Sequence, residues 1–242
     1  GGVTPTPVIP GYVTDIPNVT PSNPGADTPV VYRKADQKAV ITYVDQTTGQ
    51  TLANDQVGGK SGEAINYSTA DKIKYYEDRG YVLVSDEFPT GAHFDNDASV
   101  DQTWTVTLKH GETPVGPNDP HNPTDPINPN DPNSPKYPAT DQWKKDVTST
   151  VHYVGAGSQT PNDNVQNAQW TRTLTLDKVT GATLSSTAQA SCNIAATYNG
   201  AAQATSCTVT APTITAPSAT PTVLGYNTSA SSNSNNSSYN TT

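Results

Sequence analysis

The stretch Asp45-Gln-Thr-Thr-Gly49-Gln-Thr51-Leu52 decides how this chain is read, because it is a tight turn set between two runs that alternate apolar and polar residues. Glycine at the fourth position after an aspartate supplies a left-handed residue, and the aspartate can hydrogen-bond its own turn. The phrase Asp-x-x-Thr-Gly-x-Thr-Leu returns at Asp177-Lys-Val-Thr-Gly181-Ala-Thr183-Leu184. Two copies of one turn in a polar chain imply small β units in series, not one large core.

Outward from the first copy, Ala39-Val-Ile-Thr-Tyr-Val-Asp45 reads as a strand and Gln50-Thr-Leu-Ala53 as its partner, with Gly58-Gly59 as the break that follows. Ser68-Thr-Ala-Asp71 starts a helix, close to a capping box. Ala70, Ile73 and Tyr76 fall on one helical face, and Gly80 stops it. Tyr75 and Tyr76 are adjacent, so only Tyr76 faces the sheet and Tyr75 is exposed. Tyr81-Val-Leu-Val-Ser85 is a third strand. Val100, Gln102, Trp104, Val106 and Leu108 alternate along a fourth, with Asp101, Thr103, Thr105, Thr107 and Lys109 opposite them. That alternation predicts a sheet with one wet side. The order β-β-α-β-β predicts a β-grasp (ubiquitin-like) domain over residues 35–112. The fold class expected is α+β, mostly β, with tandem small units of this kind joined by a proline-rich linker into an elongated chain.

Residues 1–34 are rich in Pro and Thr. Thr6-Pro-Val-Ile-Pro-Gly-Tyr-Val-Thr14 is echoed by Thr220-Pro-Thr-Val-Leu-Gly-Tyr-Asn-Thr228, as corresponding edge strands of two repeat units would be. Within residues 113–139, the stretch 118–135 repeats a six-residue phrase with proline at every third position, which predicts a polyproline II spacer. A second β-rich module is expected over 140–226, with Val147, Ser149, Val151 and Tyr153 in one strand and Trp170, Arg172, Leu174 and Leu176 in another. Centring a turn on Asn199-Gly200 puts Cys192 opposite Cys207, either as a disulfide or as two buried thiols. The Ser/Asn-rich tail 227–242 is expected to be disordered.

Composition narrows the function. A net charge of −9 leaves no basic surface for nucleic acid or for anionic lipid. No apolar run approaches the ~20 residues that span a bilayer. The chain has no Met and begins Gly1-Gly2, as a piece cut from a longer protein would, and the dominance of Thr, Ser, Asn and Pro is the composition expected of an exported surface protein. His93, His110, His121 and His152 come without a nucleophile elbow, metal-type spacing or phosphate-cradling loop. A unit of this size with one thin sheet has no room for the deep cleft that paired catalytic carboxylates need. No enzyme is expected.

For ligand contact the candidates are Trp143, in the polar run Asp141-Gln-Trp-Lys-Lys145, and Tyr75. Trp104 and Trp170 sit in alternating strand positions and read as core. The acidic loop Asp95, Asn96, Asp97 and Asp101 offers oxygens for Ca²⁺, although it lacks the EF-hand phrase, and a solvated polar loop fits it as well. No other cofactor is expected.

Tyr32-Arg-Lys-Ala-Asp-Gln-Lys-Ala-Val-Ile-Thr-Tyr-Val-Asp-Gln-Thr-Thr-Gly-Gln-Thr-Leu52, with Gly80-Tyr-Val82 and Val100-Asp-Gln-Thr-Trp-Thr-Val-Thr-Leu108, resembles the mucus-binding (Mub-type, MucBP) repeats of lactic-acid-bacterial adhesins. Val147-Thr-Ser-Thr-Val-His-Tyr153, Gln169-Trp-Thr-Arg-Thr-Leu174 and Asp177-Lys-Val-Thr-Gly181 look like the second domain of such a repeat. Val8-Ile-Pro-Gly-Tyr-Val13 is similar to the strand that closes a preceding one. The resemblance stops after Thr187. It implies attachment to mucin glycoproteins and their glycans by a monomeric repeat on a bacterial surface, with a wall anchor outside this stretch. A stalk, or a repeat that binds a protein such as an immunoglobulin, are the other expectations.

Overall fold

The structure is a computed structural model that describes residues 2–21, 24–187, 189–198, 201–209, 223–225, 234–235 and 240–241. Its contacts divide the chain into two compact units, Gly1–Glu77 with Tyr81–Lys109, and Asp78–Gly80 with His110–Thr242.

In the first unit, short strands β1 (Thr4–Pro5), β2 (Tyr12–Val13), β3 (Asn18–Val19) and β4 (Arg33–Lys34) form two ladders, β1 with β3 and β2 with β4. The Pro/Thr-rich segment, read as the closing strand of a preceding repeat, is thus built into this unit, and the Ala35 N–H donates to the Gly11 carbonyl. The main sheet comprises β5 (Asp36–Asp45), β6 (Thr51–Lys60), β7 (Tyr81–Asp86) and β8 (Gln102–His110), in the order β6-β5-β8-β7. The β5–β6 pair is antiparallel and β5–β8 parallel, with Ile41 opposite Trp104 and Tyr43 opposite Val106. Helix α1 (Ala70–Glu77) follows β6, and Ser68 Oγ accepts its first N–H from Ala70.

Alternation along β5 explains the layer beneath the helix. Ala39, Ile41 and Tyr43 point inward and join Ile65, Ile73, Phe94, Val106 and Leu108 in one core. Gln37 is also buried, and Ser61 Oγ accepts from its amide at 2.9 Å. On the other face Val40, Thr42 and Val44 stand opposite Thr103, Thr105 and Thr107, the open side that the threonine alternation predicts. Gly58-Gly59 does not break β6. The strand runs through because a Cβ on Gly59 would sit 2.2 Å from the Phe94 ring, so glycine is the residue that lets the ring lie against the backbone.

The second unit holds β9 (Glu112–Val115), β10 (Lys144–Val151), β11 (Asn164–Thr171), β12 (Leu174–Asp177), β13 (Thr183–Ser186), β14 (Gln189–Tyr198), β15 (Ala201–Val209), β16 (Ser234–Asn235) and β17 (Asn240–Thr241). They form three sheets, ordered β13-β12-β9, β11-β10-β16 and β14-β15-β17. The run read as one strand from Trp170 to Leu176 is two, parted where the Arg172 N–H turns to the Trp143 carbonyl and the Thr173 N–H to Thr187 Oγ1. Of the tail expected to be disordered, β16 and β17 are described, and its remaining residues lie outside the described ones.

The extended spacer expected over 113–139 is corrected by the structure. β9 pairs with β12, and the chain then folds through a run of turns in which Asp125, Asp131 and Ser134 donate to carbonyls three residues earlier. Pro126 bridges Lys136, and Ile127 and Tyr137 are buried with Val115, Trp143, Leu174 and Leu176. Asp-Pro and Asn-Pro start turns when side-chain and backbone acceptors cap the following N–H groups. Here they do so, as at Asp131 Oδ1, which accepts from the Asn133 N–H at 2.9 Å. Among the described residues no helix is long and apolar enough to cross a membrane.

Candidate functional site

Both copies of the Asp-x-x-Thr-Gly turn close by the same hydrogen bonds. Asp45 Oδ1 accepts from the N–H groups of Thr47 and Thr48, and Asp177 Oδ1 from those of Val179 and Thr180. Gly49 and Gly181 donate to the carbonyls of Asp45 and Asp177, with φ of 77° and 78°. Thr48 and Thr180 accept through Oγ1 from Gln50 and Ala182. Both aspartates are buried. In the second unit the free carboxylate oxygen has a further partner, because His110 Nδ1 donates to Asp177 Oδ2 at 2.7 Å. Burial alone would raise the Asp177 carboxyl. The hydrogen bonds from His110, Thr180 and Val179 outweigh it and hold the group below the ordinary carboxylate range. These turns are structural clamps.

The chemistry suited to contact lies on the helix side of the first unit. Tyr75 is 50% exposed, as its neighbour's inward position requires, and its ring meets Tyr76 edge-on at 5.2 Å. Tyr76 in turn packs on Tyr81 and Tyr43. One helical turn before Tyr75, the Lys72 ammonium lies 5.5 Å over the Tyr43 ring and 3.0 Å from Asp55 Oδ1. Asp55 Oδ2 accepts from the Tyr67 hydroxyl at 2.7 Å, so the Tyr43 hydroxyl must donate to Tyr67 at 2.5 Å. A polar chain therefore runs from the core at Tyr43 to Asp55 and Lys72, whose side chains are about one-third exposed. Burial first, then its hydrogen bonds, pushes the Tyr67 hydroxyl up, which keeps it a donor. Burial opposes ionisation of Asp55, but hydrogen bonds from Tyr67 and Lys72 hold its carboxyl low. An exposed aromatic ring beside an ammonium and a carboxylate is a surface on which a sugar ring stacks and finds donors and acceptors. The sequence does not disclose the Lys72–Asp55–Tyr67 group, because its members sit on different elements and no periodicity links them.

Trp143 is corrected as a ligand residue. It is 5% exposed, at the end of a 3₁₀ turn over Thr140–Gln142 that aims it into the second core, beside Leu174 and Tyr137. Its polar flanks face outward and concealed that packing. Trp104 packs edge-on against Phe88 at 5.2 Å. The Trp170 side chain lies outside the described residues.

In the acidic loop the oxygens are engaged locally. Asp95 Oδ1 accepts from the Asp97 N–H, Asp97 Oδ1 from the Ser99 N–H and hydroxyl, and Asp101 lies 3.8 Å from Lys38. The Asn96 side chain lies against Gly11. Among the described residues no group of three or more His, Cys, Asp or Glu is arranged to hold a metal. The backbone register places Cys192 opposite Cys207, with bulges on either side. The cysteine side chains themselves, and the Asn199-Gly200 turn, lie outside the described residues.

Residues 37–110 match the family described as "Mucin binding domain", and residues 138–242 the family described as "Muc B2-like domain". Among solved structures the chain is similar to a type 2 repeat of the mucus binding protein MUB from Lactobacillus reuteri. The two share 34% identity over 74% of this chain and 83% of that one, with a TM-score of 0.42. It is also similar to Mub-RV, at 36% identity over 74% and 82% and a TM-score of 0.46. No curated protein matches it at a significant level.

Proposed function

This chain belongs to the mucus-binding repeat family, and from that premise we propose that it is a repeat of a bacterial surface adhesin that attaches non-covalently to mucin glycans. The observation that carries this reading is the match of residues 37–110 to the family described as "Mucin binding domain". The β6-β5-β8-β7 order, with its parallel central pair under one helix, supports reading the first unit as a β-grasp. The attachment surface is Tyr75 with Lys72 and Asp55. Each contact is weak, and display of many repeats on a wall-anchored protein raises the effective concentration enough to hold a cell in flow. A repeat that only extends a stalk, or one that recognises a protein such as an immunoglobulin, is the competing reading.

Replacing Tyr75 by Ala tests the surface. Half of the residue is already in water, so the chain should stay folded and lose about 0.5–1.5 kcal/mol, the worth of the edge-on contact with Tyr76. Retention on a mucin-coated surface should fall by about three- to tenfold, the worth of one aromatic contact. Unaltered retention would remove Tyr75 from the site.

A further inference from the structure

We propose that the first unit is a load-bearing clamp, in which tension drawn through the chain is carried by the parallel β5–β8 ladder in shear. The chain enters the main sheet at Asp36, the first residue of β5, and leaves it at His110, the last residue of β8. β5 and β8 are neighbours and run parallel, with Ala39 opposite Gln102 at one end of the ladder and Asp45 opposite Leu108 at the other. Entry and exit therefore lie at opposite ends of one ladder. Pulling them apart slides β5 along β8, so the force crosses the evenly spaced hydrogen bonds and is shared among them. In a hairpin such as β5–β6 the two free ends lie together, and pulling there opens the bonds one at a time.

The rest of the unit keeps the load on that seam. In the order β6-β5-β8-β7 each of the two central strands has another strand on its outer side, which holds both in line. The Gln46 N–H donates to the Leu108 carbonyl at 2.7 Å and carries the ladder one residue past the end of β5. Ala39, Ile41 and Tyr43 of β5 and Val106 and Leu108 of β8 are all 0% exposed. Water cannot compete for the bonds beside them until the strands have moved, and the dry surroundings strengthen each bond. Upstream, the β1–β3 and β2–β4 ladders hold two residue pairs each, so they part first and pass the load to Asp36. The clamp depends on strand order and register alone. Its use, holding a cell against flow, rests on the adhesin reading.

Single-molecule force spectroscopy of the intact chain is the test, with circular dichroism to establish that every variant folds. The chain is tethered first at its two termini, and then at its N-terminus and at an azide-bearing residue in place of Val100, which is 63% exposed just before β8. Release of roughly 250 Å of chain marks the first unit in the first geometry, and roughly 210 Å in the second. End-to-end tension should give a distinct force peak at that step. The second geometry pulls β5 and β8 from the same end and should lose the peak. Val106→Ala, in the ladder opposite Tyr43, should lower the peak. Ile73→Ala, on α1 in the same core, should lower stability to denaturant and leave the peak in place, because forced unfolding reads the barrier. Equal forces in the two geometries overturn the proposal. So does an Ile73→Ala chain that loses as much of the peak as Val106→Ala. No mucin enters the measurement, so its failure and the failure of the adhesin reading are told apart.

Discussion

Replacing Asp177 by Ala is expected to destabilise the second unit by about 2–5 kcal/mol, because a buried ionised acceptor is lost and several buried donors are left unpaired. Three donors lose their acceptor at once: the Val179 and Thr180 N–H groups and the His110 ring, which is buried as well. Hydrogen exchange resolved by segment should show faster exchange through β9, β12 and β13, with the first unit unchanged. Asp177→Asn keeps an oxygen for the turn and loses the charge, so its cost is smaller. The pH dependence has a fixed sign. Because the folded carboxyl is held below its ordinary value of 3.8, its contribution is complete above that value and is lost as pH falls through the lower, folded one. D177N should lack that acid-side loss. Equal acid sensitivity in wild type and D177N would contradict this account of the clamp.

The second large effect is in the first core. Phe94 is 3% exposed and lies over Gly59, so Phe94→Ala should cost about 3–5 kcal/mol in transfer and cavity energy. Gly59→Ala alone should cost about 1–3 kcal/mol, because the new methyl enters the ring's space. The two changes share that space. In the double variant the methyl occupies the hole left by the ring, and the sum of the single costs should exceed the double by about 0.5–3 kcal/mol. Denaturant unfolding of the four proteins measures the cycle. Strict additivity would place Phe94 away from Gly59.

What the sequence disclosed and what it hid divide by distance along the chain. Each hydrogen bond of the Asp45 and Asp177 turns spans at most five residues, so the local phrase carried the geometry, down to a left-handed glycine in both copies. The alternation of Trp104, Val106 and Leu108 against Thr103, Thr105 and Thr107 likewise fixed which face of the sheet is wet. Gly58-Gly59 was misleading because the ring that explains Gly59 lies thirty-five residues further on. The proline phrases of 118–135 were misleading for a related reason. Their period suits an extended helix, yet Asp and Asn before proline cap turns, and burial of Ile127 and Tyr137 decides between the two. Trp143 looked exposed because its neighbours in sequence are polar, while its neighbours in space are Leu174 and Val115. Of the contact surface, helical spacing gave Tyr75. Lys72, Asp55 and Tyr67 required the side-chain hydrogen bonds that Lys72 and Tyr67 make with Asp55 of β6.

The claim on which the functional account turns is that this chain holds mucin by its sugars. The most direct measurement is binding of the intact chain to immobilised mucin, before and after enzymatic removal of the glycans. Saturable binding to native mucin that disappears from the stripped protein is the expected result. Binding that survives stripping would make the ligand a polypeptide, and binding to neither form would make the repeat a spacer.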